Sequence, residues 1–171
     1  MTDLVSITWK DFLSQIKQFM DMSRQLDDSW SIYEKDMEEP NTFLQYTQKL
    51  KCKNELISVE YHIVYSISYQ IPMLYFQAHR SDGSMLNIEA VWELFVPEAT
   101  RHKLNLYEML TQMEHPVLFR PYMALHPCRT AEVLAQFGEQ SKNVVLTFIS
   151  LYGPYVQLNL SNAYGLLLGN K

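Results

Sequence analysis

Cys128 is the residue whose type and position most clearly permit covalent chemistry in this chain. It follows Pro127 and precedes Thr130 to Phe137, a segment with the apolar spacing of a helix. Amide N–H groups at a helix amino end favour a negative charge, and the neighbouring Arg129 adds a positive charge. Both effects stabilise a thiolate, which is the nucleophile of acyl-transfer reactions. The same local sequence also suits a buried core cysteine, so the residues leave both roles open.

Other kinds of site are poorly supported by the spacing of candidate ligands and nucleophiles. Zinc-ligand types occur at His126, Cys128, His115, His102 and Cys52, but no Cys-x-x-Cys or His-x-x-x-His spacing joins them. The order of residues does not fit a papain-like protease. The chain has five glycines and no glycine-rich loop, so it lacks the signature of a phosphate-binding loop. We therefore expect no metal and no organic cofactor.

The composition indicates a single cytoplasmic domain. The chain has 171 residues, 47% of them apolar and 19% charged, which suits one globular domain over residues 1–171. The net charge is -5 and the densest basic cluster is Lys49–Lys53, so we expect no nucleic-acid partner. Residues 1–6 lack a basic start and an apolar run, so we expect no signal peptide and no stable membrane insertion. Both cysteines are then expected to be free thiols.

Hydrophobic periodicity divides the first half of the chain into one helix and four strands. Thr8 to Leu26 has helical spacing, with Thr8 and Asp11 placed as a capping box. The strongest strand signal is expected to break at Gln70-Ile71-Pro72, before a strand that pairs with it in the antiparallel sense. The predicted strands are Ser29–Tyr33, Thr42–Leu50, Glu55–Gln70 and Met73–His79, with an acidic loop over Glu34–Asn41.

The second half of the chain mixes helices with shorter apolar segments. Two segments have helical spacing, Asn87–Phe95 and Thr130–Phe137. Two others fit either a strand or a helix, Leu104–Met113 and Asn143–Tyr152. Beyond about residue 160 we expect a loose tail. The mixture of strands and helices, without a repeat or a linker, predicts one α+β domain.

The residues around Cys128 also resemble a known family. The active-site motif of the autophagy E2-like conjugating enzymes, in which the catalytic cysteine directly follows His-Pro, is similar to His126-Pro127-Cys128-Arg129-Thr130-Ala131-Glu132. The proline-punctuated strand that leads to His-Pro in ubiquitin E2s resembles Glu114-His115-Pro116 followed by Arg120–Leu125. The further matching stretches are Tyr61–Phe76, Ile88–Glu93 and Ser150–Val156. The ordered set, rather than His-Pro-Cys by itself, makes the resemblance specific.

The resemblance implies an E2-like antiparallel sheet flanked by helices, with a thioester formed on Cys128. One branch of the family conjugates to a lipid headgroup and usually carries a long insertion and an amphipathic, membrane-sensing amino end. Neither feature is visible here, and the polar face of the first predicted helix is not basic. The likeness is therefore to the branch that conjugates a ubiquitin-like protein to another protein.

The implied partners follow from that branch. They are the E1-like enzyme autophagy-related protein 7, the ubiquitin-like cargo autophagy-related protein 12, and a lysine of the acceptor autophagy-related protein 5, in support of autophagosome formation. We expect Tyr65–Phe76 to offer an exposed sheet edge on which the acceptor docks. A catalytically silent E2-like interaction module is the alternative, because a fold does not determine an activity.

The resemblance leaves open which group stabilises the oxyanion that forms when a lysine attacks the thioester. Ubiquitin E2s place an Asn after His-Pro, and here Cys128 occupies that place, so another donor is needed. The candidates are the side chains of His126 and Tyr69 and the backbone N–H groups of Arg129 and Thr130. The family implicates the positions of His126 and Tyr69. The alternatives are a loop-orienting hydrogen bond for His126 and core or edge packing for Tyr69.

Overall fold

The computed structural model describes residues 4–35, 41–95, 106–137 and 141–169, and its frame is one antiparallel sheet. The strands are β1 Ser31–Glu34, β2 Thr42–Cys52, β3 Glu55–Ser66, β4 Ile71–His79, β5 Leu110–Glu114 and β6 Pro121–Leu125. They are hydrogen-bonded in the order β1-β2-β3-β4-β6-β5, so β1 and β5 form the edges. Helices flank this sheet, which confirms the predicted α+β class.

Six helices lie within the described ranges. They are α1 Trp9–Gln25, α2 Ile88–Phe95, α3 Leu106–Met109, α4 Thr130–Ala135, α5 Val144–Tyr152 and α6 Ala163–Gly169. The predicted capping box of α1 is confirmed: Thr8 Oγ accepts the Asp11 N–H at 3.1 Å, and the Asp11 carboxylate accepts the Thr8 N–H at 3.0 Å. None of the helices in the described ranges is both long enough and apolar enough to cross a bilayer.

The β3–β4 hairpin differs from the prediction at its turn. The sequence predicts strand through Gln70, but β3 ends at Ser66 and residues 67–70 form the turn. Gln70 has φ 54°, and its N–H donates to the Ser66 carbonyl oxygen at 2.8 Å, so the chain reverses within four residues. Ile67 and Tyr69 therefore leave the buried face of the strand and are 65% and 47% exposed.

Two further expectations about this hairpin are wrong. The sequence predicts a break at Gln70-Ile71-Pro72, but only Gln70 lies in the turn, whereas Ile71 and Pro72 lie inside β4 and pair with Ser66 and Tyr65. Pro72 lies beyond the residues of β4 that pair with β6, and proline is tolerated where a strand lacks a neighbour on one side. The expected docking edge at Tyr65–Phe76 is also wrong, because β3 and β4 are central strands and their side chains there are buried.

The two ambiguous segments are resolved by their contacts. The first contains both elements, because α3 gives way to β5 where Leu110 begins to pair with β6, and residues 104–105 lie outside the described ranges. The second is the helix α5. Its first turn is capped by Asn143, whose Oδ1 accepts the Leu146 N–H at 2.9 Å. The buried residues of α5 recur at helical spacing and are Val145, Leu146, Phe148, Ile149 and Tyr152.

The tail expected beyond residue 160 is partly helical, so that prediction is wrong. In α6, Tyr164 stacks on Phe19 of α1 with ring centroids 4.9 Å apart. The Tyr164 hydroxyl also donates to the Asp28 carboxylate at 2.6 Å. Tertiary packing thus stabilises a short, glycine-containing segment whose own helix propensity is low. The predicted acidic loop over Glu34–Asn41 falls mainly on residues outside the described ranges.

Replacing Asn143 by alanine is expected to lower the free energy of unfolding by about 2–4 kcal/mol. Asn143 is fully buried, and besides capping α5 its Nδ2 donates to the Gln15 carbonyl oxygen at 3.0 Å and to Gln18 Oε1 at 2.8 Å. The variant removes the cap and the bonds to α1 together. Thr8→Ala, which removes an exposed cap, is the matched control and should cost only about 1 kcal/mol. Urea unfolding of both variants measures the difference, and equal losses would contradict the linking role of Asn143.

Candidate active site

The end of β6 carries the predicted nucleophile to one end of the sheet. β6 stops at Leu125, and His126 is extended (φ -63°, ψ 132°), as expected before a proline. Pro127–Arg129 then form a 3-10 turn that leads directly into α4. Cys128 at the centre of this turn is exposed, and both cysteines are free thiols as predicted. Exposure excludes the buried-core role for Cys128.

His126 holds the turn that carries Cys128. Its backbone N–H donates to the Met109 carbonyl oxygen at 2.6 Å, and its Nδ1 accepts the backbone N–H of Cys128 at 3.1 Å. Because Nδ1 accepts a hydrogen bond, the neutral ring carries its proton on Nε2. The loop-orienting hydrogen bond considered for His126 is thus present.

The backbone N–H groups of the turn are largely committed to the turn itself. The Thr130 N–H donates to the Pro127 carbonyl oxygen, and the Cys128 N–H donates to His126. The Thr130 amide is therefore not available to an oxyanion, which removes one predicted donor. The Arg129 guanidinium lies 4.0 Å from the Glu132 carboxylate, and both side chains are largely exposed. The positive charge expected beside the thiol is therefore partly balanced and screened by water.

Tyr69 lies in the β3–β4 turn and not on the buried face of a strand. Antiparallel pairing places this turn and the carboxyl end of β6 at the same end of the sheet. The exposure of Tyr69 excludes core packing. Its N–H donates to Ser66 Oγ at 3.2 Å, and within the described ranges no hydrogen bond joins its hydroxyl to His126 or Cys128. The structure thus joins His126 to Cys128 and leaves Tyr69 as an exposed side chain at the same end.

Tyr152 is a residue beside the thiol turn that sequence reasoning missed. It is buried at the end of α5, and its hydroxyl lies near the side chain of Thr130 at the start of α4. Burial raises the pKa of Tyr152, and the nearby Cys128 adds to that shift, so the hydroxyl stays neutral. The one signal for it in the sequence is the family-like stretch Ser150–Val156. Tyr152 thus lies where α5 contacts α4, the helix that follows Cys128.

Two buried histidines were also missed as a pair. His62 Nδ1 and His115 Nε2 lie 3.0 Å apart and form a direct hydrogen bond, which leaves no room for a metal ion between them. Sequence analysis treated His115 as part of a motif and did not single out His62. Within the described ranges, no group of three or more His, Cys, Asp or Glu side chains is placed to hold a metal ion.

Fold and site together define a class of protein. An antiparallel sheet flanked by helices, with an exposed cysteine directly after His-Pro, is an E2-like domain. The family model described as "Autophagocytosis associated protein, active-site domain" matches residues 11–163 of the chain. The chain belongs to this family.

The curated relatives agree with the narrower resemblance to the protein-conjugating branch. A Homo sapiens protein named "Ubiquitin-like-conjugating enzyme ATG10" is 41% identical over 119 residues, which cover 65% of this chain and 54% of the relative. The Arabidopsis thaliana protein of the same name is 31% identical over 133 residues, which cover 77% of this chain and 57% of the relative. The chain is thus ATG10-like, and it spans just over half the length of these relatives.

A solved structure shares the fold. It is described as "Crystal structure of Autophagic E2, Atg10" and superposes with a TM-score of 0.57, covering 91% of this chain and 99% of that chain. The sequence identity is 17%, so this comparison speaks for the fold. The predicted E2-like architecture is therefore confirmed.

Proposed function

We propose that this chain is an E2-like transferase that carries a ubiquitin-like protein as a thioester on Cys128 and passes it to a lysine. The observation that carries the proposal is an exposed Cys128 thiol in a turn held by His126. A thiol that accepts the carboxyl tail of another protein must be reachable from solvent, and this one is. The names of the relatives support the same chemistry.

The reaction consists of two acyl transfers. In the first, the Cys128 thiolate attacks the thioester carbonyl on the E1 enzyme, a new C–S bond forms, and the E1 sulfur leaves as a thiolate. In the second, the acceptor lysine attacks the same carbonyl, a C–N bond forms, and the Cys128 sulfur leaves while the amine gives up a proton. Neither transfer requires a metal or an organic cofactor.

The supporting residues have separate roles in this proposal. His126 places the thiol through the hydrogen bond from Cys128 to its Nδ1. Tyr69, exposed at the same end of the sheet, supplies a hydroxyl to the oxyanion as the acceptor and cargo close over the turn. Oriented groups of this kind act by proximity and by preorganised donation, and both effects are strongest where water is displaced.

The proposed partners are those of the family branch. The E1-like autophagy-related protein 7 loads Cys128 with the ubiquitin-like autophagy-related protein 12, and a lysine of autophagy-related protein 5 accepts it in the cytoplasm, in support of autophagosome formation. Residues 1–171 are proposed to act as a single E2-like domain. The matching of the family model to residues 11–163 supports this extent.

The direct test uses the wild-type chain and Cys128→Ser. With autophagy-related protein 7, ATP and autophagy-related protein 12, wild type should form an adduct that thiol reductants cleave. The serine variant should form an oxygen ester that resists reductant and is cleaved by hydroxide. Cys52→Ser is the matched control, because it removes the other cysteine and should leave the wild-type adduct intact. If no adduct forms on wild type, the catalytically silent interaction module is the better description.

A further inference from the structure

Three polar side chains form a continuous hydrogen-bonded chain on the sheet face opposite α1 and α5. They are Glu60 and His62 on β3 and His115 in the β5–β6 turn. The side chains of His62 and His115 are 1% and 0% exposed, whereas that of Glu60 is 40% exposed and reaches the surface. The rings that enclose the two histidines belong to Phe43, Tyr75 and Tyr122.

The direction of each bond follows from His115 Nδ1. This atom accepts the backbone N–H groups of Val117 and Leu118, each at 3.2 Å, so it carries no proton. The neutral His115 ring therefore has its proton on Nε2, which donates to His62 Nδ1 at 3.0 Å. The His62 Nε2–H in turn donates to the Glu60 carboxylate at 2.5 Å. Both rings are thereby fully satisfied in a buried place, where an unpaired polar atom would be costly.

This chain of bonds attaches the hairpin that leads to Cys128. Among the described residues, β6 pairs with its inner neighbour β4 at two positions, and β5 lies outside it at the sheet edge. His115 closes the turn between them, since its N–H donates to the Arg120 carbonyl oxygen and its own carbonyl oxygen accepts the Phe119 N–H, both at 2.9 Å. The His115 ring then reaches across β4 to β3. The hairpin thus has a short ladder and two side-chain attachments from buried residues: the His115–His62 bond, and the bond that Gln77 Nε2 on β4 donates to the Pro121 carbonyl oxygen at 3.2 Å.

We infer that Glu60, His62 and His115 form a positioning relay that sets the orientation of the β5–β6 hairpin and so the place of the Cys128 thiol. The relay acts through the backbone, because β6 runs without interruption from the His115 turn to His126. None of its members touches the reacting atoms. The catalytic consequence of the relay rests on the proposed function, whereas its effect on the hairpin does not.

The first test compares His115→Phe with Val64→Ala. Phenylalanine keeps the aromatic shape but removes the acceptor for two backbone N–H groups and the donor to His62. Val64, 1% exposed in the same apolar cluster, is the control, because its truncation weakens packing there without breaking a relay bond. In amide hydrogen exchange, His115→Phe should speed exchange in β6 about tenfold relative to the β2–β3 ladder. Val64→Ala should leave that ratio near the wild-type value.

The second test measures chemistry with a defined acceptor. Thioester discharge onto free lysine should fall about tenfold at saturating lysine in His115→Phe, with an unchanged half-saturating concentration, because a misplaced thiol loses rate and not lysine affinity. A normal discharge rate or a normal exchange ratio in this variant would overturn the relay. If the wild-type protein formed no thioester at all, the proposed function would be wrong. The hydrogen-exchange ratio of β6 would then still test the relay.

The third test reads the tautomers in the wild-type protein and needs no variant that might misfold. Long-range proton–nitrogen NMR spectra distinguish a protonated ring nitrogen from an accepting one. His62 and His115 should both be Nε2-protonated, with Nδ1 of each accepting. A His115 ring protonated on Nδ1 could not accept the Val117 and Leu118 N–H groups, so it would overturn the relay.

The relay also has a pH signature. Burial lowers the pKa of His115 to about 3, with the nearby His62 and Arg120 adding to the shift. The hydrogen bond from His62 lowers the pKa of Glu60. Unfolded His115 takes up a proton near pH 6.5 whereas the folded ring stays neutral, so stability falls as the pH drops from about 6.5 to 3. The titratable and charged groups that face His115 are Glu60, His62, Tyr75, Arg120 and Tyr122.

His115→Phe should therefore flatten the loss of stability over that pH range, and Val64→Ala should keep the wild-type slope. Glu60→Gln removes the carboxylate but retains an acceptor for His62, so it should preserve the exchange ratio of β6 while lessening the acid dependence below about pH 4.5. An unchanged slope in His115→Phe would mean that no buried neutral imidazole links the hairpin to β3, and would overturn the relay.

Discussion

Replacing His126 by asparagine is expected to leave discharge of a Cys128 thioester near the wild-type rate, whereas alanine should slow it roughly 100-fold. The asparagine Oδ1 can occupy the place of the ring Nδ1, which accepts the Cys128 N–H at 3.1 Å. Alanine leaves that N–H without its partner, and a displacement of the thiol by about 1 Å is enough for a loss of this size. Single-turnover discharge onto free lysine measures the rate.

Glutamine is the informative third variant at His126. Its side-chain amide reaches the place of Nε2 but offers no acceptor at Nδ1, so it should be as slow as alanine. The opposite ranking, with glutamine active and asparagine inactive, would contradict the positioning role and assign Nε2–H to the reacting atoms. Thermal unfolding of all three variants separates loss of rate from loss of fold; His126 is only half-buried, so its substitutions should change stability little.

The sequence predicts those parts of the fold that depend on local chemistry. The Thr8 and Asp11 capping box is one such case, because both of its bonds join residues three apart. The antiparallel pairing of β3 and β4 is another, because a short connection between two apolar strands permits little else. These elements need no knowledge of distant neighbours.

The parts that sequence reasoning missed depend on tertiary contacts. Gln70 adopts a positive φ that is uncommon for its residue type. The sequence pattern therefore predicted a strand that extends past the turn at residues 67–70. Asn143 decides that α5 is a helix, but its bonds to Gln15 and Gln18 join positions far apart in the chain. The helix α6 depends likewise on the contact between Tyr164 and Phe19.

The same division applies to the candidate site. Cys128 and His126 are adjacent to one proline in a specific motif, so the sequence points to both, and the structure joins them by a hydrogen bond. The hydrogen bond between His62 and His115 joins residues 53 positions apart, so no local sequence pattern predicts it. A buried polar pair of this kind becomes visible only when the sheet order is known.

Replacing Gly153 by alanine is expected to lower the free energy of unfolding by about 3 kcal/mol or more. Its φ of -55° suits any residue, so the glycine is required by space and not by backbone conformation. A Cβ at this position would overlap the carbonyl oxygen of Leu158. That contact cannot open freely, because the Leu158 N–H donates to the Gly153 carbonyl oxygen at 2.9 Å. Backbone atoms on both sides must therefore move.

The loss should be visible as a fall of roughly 10 °C in the melting temperature. Gly165→Ala is the matched control, because Gly165 is exposed within α6 and a Cβ there meets nothing within 4 Å. That substitution should be neutral or stabilising by up to about 1 kcal/mol, since alanine is the better helix former. Because Gly153 directly follows Tyr152, whose hydroxyl lies near Thr130, the strain should also reach the start of α4 beside Cys128. Equal melting temperatures for the two alanine variants would show that residues 153–158 can shift to accommodate a methyl group. They would also show that the turn carrying Cys128 does not depend on close packing at Gly153.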